Sequence, residues 1–134
     1  MIVAMKRWIL GFLLILTLTQ RNQAAEVDLD GHDGRRGNVR LKIGDTLQVT
    51  LPSNPTTGYT WTDDWSCNGI LKSRGEKQYQ PFKREKHLVG GGGVEIFKYL
   101  VIGRGTTTLS FSYVRPWERA VSPMGMATWK IIVE

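Results

Sequence analysis

Leu47, Val49 and Leu51 alternate with Thr46, Gln48 and Thr50. A two-residue period of this kind puts every apolar side chain on one face of an extended chain, and a helix with a period of 3.6 would scatter them. The same period returns in Leu109, Phe111 and Tyr113, and again in Trp129, Ile131 and Val133. Val39, Leu41 and Ile43 alternate with Arg40 and Lys42, and Tyr59 and Trp61 with Thr60 and Thr62, which predicts two further half-buried strands. Val94 to Ile102 has few polar residues and reads as a strand buried on both faces or set against a sheet edge. From Ile70 to Phe82 the pattern weakens to Leu71, Tyr79 and Phe82, and Pro81 would interrupt a central strand, so short strand pieces are expected there. The sum is all-β: about seven short strands and no convincing amphipathic helix in the folded part, the signature of a sandwich or a barrel. Composition does not choose between the two.

The 134 residues allow one domain, and the first two dozen do not belong to it. Lys6 and Arg7 precede Ile9 to Thr19, which is almost wholly apolar and uncharged. That run is short for a membrane span and suits the core of a signal peptide. Ala24 and Ala25 offer small residues for cleavage, so residues 1–24 are expected to be a signal peptide and the protein to be exported, periplasmic or secreted. No cysteine stands near the cleavage site to carry a lipid. Residues 25–37 are polar, rich in Asp and Gly, and read as a loose lead-in; residues 38–134 form the domain. The lone Cys67 makes no internal disulfide, so the core alone must stabilise what remains.

Charge and motif inventory exclude several functions. Cleavage removes Lys6, Arg7 and Arg21 and no acid. The 18 basic and 12 acidic residues thus become 15 and 12, a net charge of +3. That is too mild for a nucleic-acid partner, and no basic stripe interleaves with aromatics. Lys83, Arg84 and Lys86 read as a solvated loop face. The Asp residues of the lead-in lack the ordered spacing of a calcium loop. Cys67, His32 and His87 sit in separate polar segments and make neither a nucleophile–base pair nor a metal set. Four glycines without a following Lys-Ser/Thr are not a phosphate loop. No enzyme, cofactor or metal is expected.

Three segments between strands invite a binding role instead. Asn54-Pro55-Thr56-Thr57-Gly58-Tyr59 is a loop stiffened by proline, with Gly58 free to take a conformation closed to other residues. Leu88 and Val89 lead into Gly90-Gly91-Gly92-Gly93, where another backbone can approach closely. Arg115-Pro116-Trp117 offers the two residue types most enriched at binding hot spots on a stiff base. The alternative for Trp117 is a core aromatic that happens to follow proline, and for Arg115 a structural ion pair that braces the loops. In this order, Asn-Pro-Thr-Thr-Gly-Tyr, a Gly-rich run and Arg-Pro-Trp resemble the chagasin family of cysteine-peptidase inhibitors, from about Asn38 to Glu134.

The resemblance implies an immunoglobulin-like β-sandwich whose three loops, at one end, enter the cleft of a papain-like cysteine peptidase. It implies that the first loop sits over the catalytic cysteine with Thr56 nearest, within Asn54, Pro55, Thr56, Thr57 and Gly58. It puts Leu88, Val89, Gly90, Gly91, Gly92 and Gly93 on the non-primed side, and Trp117, with Arg115 and Pro116, toward the primed side. The four consecutive glycines and Tyr59 as closing aromatic depart from the family pattern. A reversible inhibitor is the expectation, monomeric, with no membrane partner once the signal peptide is removed. The rivals are a carbohydrate- or cell-wall-binding sandwich using Trp117, Tyr59 and Trp61 as stacking platforms, and a structural or adhesion domain. Trp61 should be buried in an inhibitor and exposed in a sugar binder.

Overall fold

The computed structural model describes residues 24–31, 36–64, 69–83 and 91–134. They form nine strands: β1 (Glu26–Asp30), β2 (Arg36–Leu41), β3 (Thr46–Ser53), β4 (Thr60–Asp64), β5 (Leu71–Ser73), β6 (Gln78–Pro81), β7 (Gly93–Val101), β8 (Gly105–Val114) and β9 (Gly125–Val133). One sheet has the order β1-β3-β7-β5, and β6 also pairs with β7. Since β3 fills one edge of β7, β5 and β6 share the other, opposite residues 99–101 and 93–96. The second sheet has the order β2-β9-β8-β4. β1 and β2 join β3 and β9 in parallel, and all other pairings are antiparallel. The two sheets pack as an immunoglobulin-like β-sandwich.

The alternating side chains meet between the sheets. Leu47, Val49 and Leu51 of β3 and Phe97, Tyr99 and Val101 of β7 face Leu109 and Phe111 of β8 and Trp129, Ile131 and Val133 of β9, all buried. Phe111 is the hub. Its ring lies 4.8 Å from Phe97, 5.9 Å from Trp129 and 6.5 Å from Tyr99, tilted or edge-on. Such pairs add to the burial that supplies most of the stability of a domain without a disulfide.

Register decides where the loops lie. β3 ends at Ser53 opposite Gly93, where β7 starts, and Gly93 is opposite Pro81, where β6 ends. β8 ends at Val114 opposite Thr60, the first residue of β4, and its Tyr113 faces Gly125, the first residue of β9. The ends of β3, β6 and β8 and the starts of β4, β7 and β9 therefore lie at one end of the sandwich. Ala25 and Glu134 lie at the other end, where Ala25 bonds to Asp45 and the Glu134 amide to the Leu41 carbonyl.

Several expectations need correction. Glu26–Asp30, read as part of a loose lead-in, is strand β1. Its Val27 and Leu29 pack on the core between outward acids, and a parallel partner 20 residues away in sequence completes the pairing. Gly31 is pressed onto Leu51, where a Cβ would lie 2.2 Å from the leucine side chain. Ile43 is 51% exposed, because the chain turns at Gly44 (φ 93°) once Leu41 has reached the core. Tyr59 precedes β4 rather than belonging to it. β7 buries one face fully, while Val94, Ile96 and Leu100 on the other are half-buried and Ile102 is exposed. Residues 1–23, Cys67, His32 and His87 lie outside the described residues.

Phe111→Ala is expected to cost about 3–5 kcal/mol by opening a cavity among three rings. Denaturant melting checks this, and a loss below about 1 kcal/mol would remove Phe111 from the core.

Candidate functional site

The first loop is a capped turn. Asn54 is extended (φ −132°, ψ 94°), as a residue before proline tends to be, and Pro55–Thr57 then form one turn of 3-10 helix. Asn54 Oδ1 accepts the Thr56 amide at 3.2 Å and the Thr56 hydroxyl at 2.6 Å. The Asn54 carbonyl accepts the Thr57 amide at 3.2 Å and the Thr57 hydroxyl at 2.6 Å. Gly58 closes the turn at φ 80°, donating to the Pro55 carbonyl at 3.1 Å. Both threonine hydroxyl protons are thus spent inside the loop. The exposed Pro55, Thr56 and Thr57 offer a partner methyl groups, ring carbons and acceptor oxygens, and no acid, base or nucleophile.

The third loop is fastened to the first. Arg115 Nε donates to the Thr57 carbonyl at 3.0 Å, its guanidinium lies 4.4 Å from the Tyr59 ring centre, and it pairs with Glu118 at 3.0 Å. Glu118 and Tyr59 favour its charged form and push its pKa up against a smaller opposing effect of burial. Arg115 is therefore a brace between loops. Trp117 is 66% exposed, yet its indole edge rests on Gly58, where a Cβ would lie 2.3 Å from Cη2. Below this contact Tyr59, Tyr113 and Trp61 stack in sequence, with ring centres 5.2 and 4.9 Å apart. The Tyr113 hydroxyl accepts the Asn54 amide at 2.9 Å, and Trp61 Nε1 donates to the Pro52 carbonyl at 2.9 Å. Trp61 is 6% exposed. Of the three aromatics that a sugar platform would need, Trp61 is buried, Tyr59 is half-buried and Trp117 is exposed.

The Gly-rich segment divides. Gly93 is buried in β7, and a Cβ there would lie 2.3 Å from the Gln80 carbonyl, so its missing side chain serves the sheet. Gly91 and Gly92 are half-buried, and the Gly92 carbonyl accepts the Phe82 amide at 3.1 Å. Leu88, Val89 and Gly90 lie outside the described residues.

A buried carboxylate underlies the loops. Glu95 is 4% exposed at a core-facing position of β7. It accepts the Thr60 hydroxyl at 2.8 Å and the Trp61 amide at 3.1 Å, and pairs with Lys77 at 2.9 Å. Lys77 also donates to the Thr60 hydroxyl and, at 2.8 Å, to the Trp61 carbonyl. Burial raises the carboxyl pKa. The hydrogen bonds from Lys77, Ser53, Thr60 and the Trp61 amide together outweigh it and hold Glu95 below the ordinary range. These bonds tie the start of β4, immediately after the first loop, to the opposite sheet. Glu95 and Lys77 belong to no motif; the one sequence signal is an acid inside an apolar strand. Val121 and Met124 of the third loop are also exposed large apolar side chains that no motif marked.

The Glu95 pKa is depressed on folding, so its contribution is present above the ordinary carboxyl value and lost as pH falls through the lower folded value. Glu95→Gln is expected to cost about 2–3 kcal/mol near neutrality, less than a fully buried pair because Lys77 is partly open to water, and to flatten the acid limb of stability against pH. An acid limb identical to wild type would remove Glu95 as its source. Gly58→Ala should lose about 1 kcal/mol from its left-handed backbone and displace Trp117. The check is by NMR: the Trp117 indole resonance should move while those of Trp61 and Trp129 stay.

Comparison with known proteins bears directly on this three-loop end. Chagasin from Trypanosoma cruzi is 32% identical over 90 residues, covering 64% of this chain and 77% of its own. Amoebiasin-2 from Entamoeba histolytica is 24% identical over 95 residues, covering 71% and 76%. Among solved structures, a cysteine protease inhibitor from Entamoeba histolytica superposes with a TM-score of 0.74 at 20% identity, over 84% of this chain and 98% of that one. Leishmania mexicana ICP gives 0.53 at 28% identity, over 75% and 88%. Residues 40–131, which hold all three loops and the strands that carry them, match the family described as "Chagasin family peptidase inhibitor I42". The chain belongs to the chagasin family of peptidase inhibitors.

Proposed function

We propose that this protein is a reversible inhibitor of papain-like cysteine peptidases that plugs the active-site cleft with its three loops. The observation that carries the reading is the fastening of the first and third loops into one wedge by Arg115 on the Thr57 carbonyl and Trp117 on Gly58. A wedge ordered before binding has little conformational entropy left to lose on docking. Thr56 sits nearest the peptidase thiolate, its hydroxyl proton already given to Asn54. The loop therefore blocks the nucleophile without delivering a carbonyl in attack geometry, and the complex stays uncleaved. Leu88 to Gly93 take the non-primed side and Trp117 the primed side. The sugar-binding rival is disfavoured by the burial of Trp61 and the covering of Tyr59 by Arg115.

The setting of this activity is outside the cytoplasm. Ile9 to Thr19 directs export, and residues 1–24 are removed. No helix among the described residues is long and apolar enough to cross a membrane. The folded protein acts as a monomer.

Titration of papain or a cathepsin L-like enzyme tests the reading, and a folded protein that inhibits none of several papain-like peptidases would overturn it. Trp117→Ala should weaken inhibition roughly 30-fold, about 2 kcal/mol, mainly through faster dissociation. Its melting temperature should change little, because the indole is mostly exposed. A several-kcal/mol loss of stability would instead make Trp117 part of the core.

A further inference from the structure

Asp45 is a carboxylate that the fold buries without a cation. It is 7% exposed, and among the described residues no lysine or arginine pairs with it. Arg40 and Lys42 line the same hollow, together with Ala24, Ala25 and Val27. Arg40 is engaged with Glu134 at 2.7 Å, and Lys42 gives Asp45 only its backbone amide, at 2.8 Å on Oδ2. The other oxygen, Oδ1, accepts the Ala25 amide at 2.9 Å. A buried carboxylate is costly unless charge or several donors compensate it. The one nitrogen already in place beside Oδ1 is that of Ala25, at the edge of the expected signal peptide.

We infer that export processing cuts the Ala24–Ala25 bond and that the α-ammonium so created docks on the Asp45 carboxylate. Water adds across the peptide bond: Ala24 leaves with the leader as a carboxylate, and Ala25 keeps the nitrogen, which is protonated to the ammonium. A neutral amide donor becomes a cation with three donors at the same place, without moving β1. The neighbouring bonds serve less well. A cut after Ala25 deletes the Ala25–Asp45 bond and also the bond from the Thr46 amide to the Ala25 carbonyl, 3.0 Å long, which begins the β1–β3 pairing. A cut after Gln23 leaves the new charge on Ala24, one residue before the nitrogen that reaches the carboxylate. Among the described residues, Ala25 is the first whose backbone is held at both its N–H and its carbonyl.

The inference rests on the proposed export, and the test separates the two. The full chain is expressed with its own leader in an exporting bacterial host, and the N-terminus of the exported protein is read by sequencing and intact mass. A start at Ala25 is expected. An exported chain starting at Ala24 or Glu26 overturns the docking and leaves export standing. A chain that stays in the cytoplasm overturns export and the docking with it, and an exported chain that keeps residues 1–24 overturns the docking alone. In the processed protein, a succinimidyl ester at neutral pH should label the Ala25 α-amine roughly tenfold more slowly than in the Asp45→Asn variant, since a one-unit rise in amine pKa is a tenfold loss of free amine. The same wild-type protein unfolded in urea supplies the unpaired rate even where the variant does not fold. Equal rates for folded and unfolded wild type overturn the docking. Papain inhibition by the same preparation reads the inhibitory function independently.

Discussion

One carboxylate inside an apolar interface holds the working end of this protein together. Glu95 stands on β7, in one sheet, and its acceptors take the Thr60 hydroxyl and Trp61 amide of β4, in the other. Side-chain packing between the sheets is non-directional and tolerates sliding; those bonds, with the one from Trp61 Nε1 to the Pro52 carbonyl, add direction. With them, the point at which the chain leaves the first loop is fixed in three dimensions. Lys77 neutralises the charge and draws the β5–β6 segment into the same cluster. A hydrophobic replacement of such a pair is often no less stable. What the pair supplies here is direction: the β4 backbone has one place to go.

Above that anchor, order is passed upward by contacts that each restrict one degree of freedom. Tyr113 receives the Asn54 amide and stacks between Tyr59 and Trp61. Asn54 caps the 3-10 turn and takes up both threonine hydroxyls. Arg115 reaches from the third loop to the Thr57 carbonyl, and Trp117 lies on the one residue in the first loop without a side chain. The loops are short on hydrophobic burial, so hydrogen bonds and ring contacts do the ordering that a core does elsewhere. This suits a surface that must be rigid and yet present nothing reactive.

Much of this was legible in the sequence, and the part that was not has a common cause. The strands around Val49, Phe111 and Ile131 announce themselves because one face is buried and the side-chain period is two. The three loop motifs were visible because proline, glycine and tryptophan leave local signatures. β1 was hidden, because Glu26, Asp28 and Asp30 outweigh Val27 and Leu29 in any local count, and its partner is supplied by a distant strand. Glu95 and Lys77 are 18 residues apart and Arg115 and Thr57 are 58 apart. A polar residue that is buried against a remote partner looks, in sequence, like one that is solvated. Gly93 was misleading in the opposite sense: within a run of four glycines it looks like loop, and it is a strand residue flattened by the Gln80 carbonyl.

The points at which the chain enters and leaves the described sandwich have a consequence for how such a protein can be held. Ala25 and Glu134 both leave the sandwich at the end remote from the three loops. Chain that continues beyond either point, whether a surface anchor, a second copy in tandem or an unrelated cargo, leaves the sandwich on the side away from the wedge, like a handle from a blade. The proposed blocking surface stays unobstructed on an immobilised protein, and copies strung on one polypeptide keep separate access to separate targets.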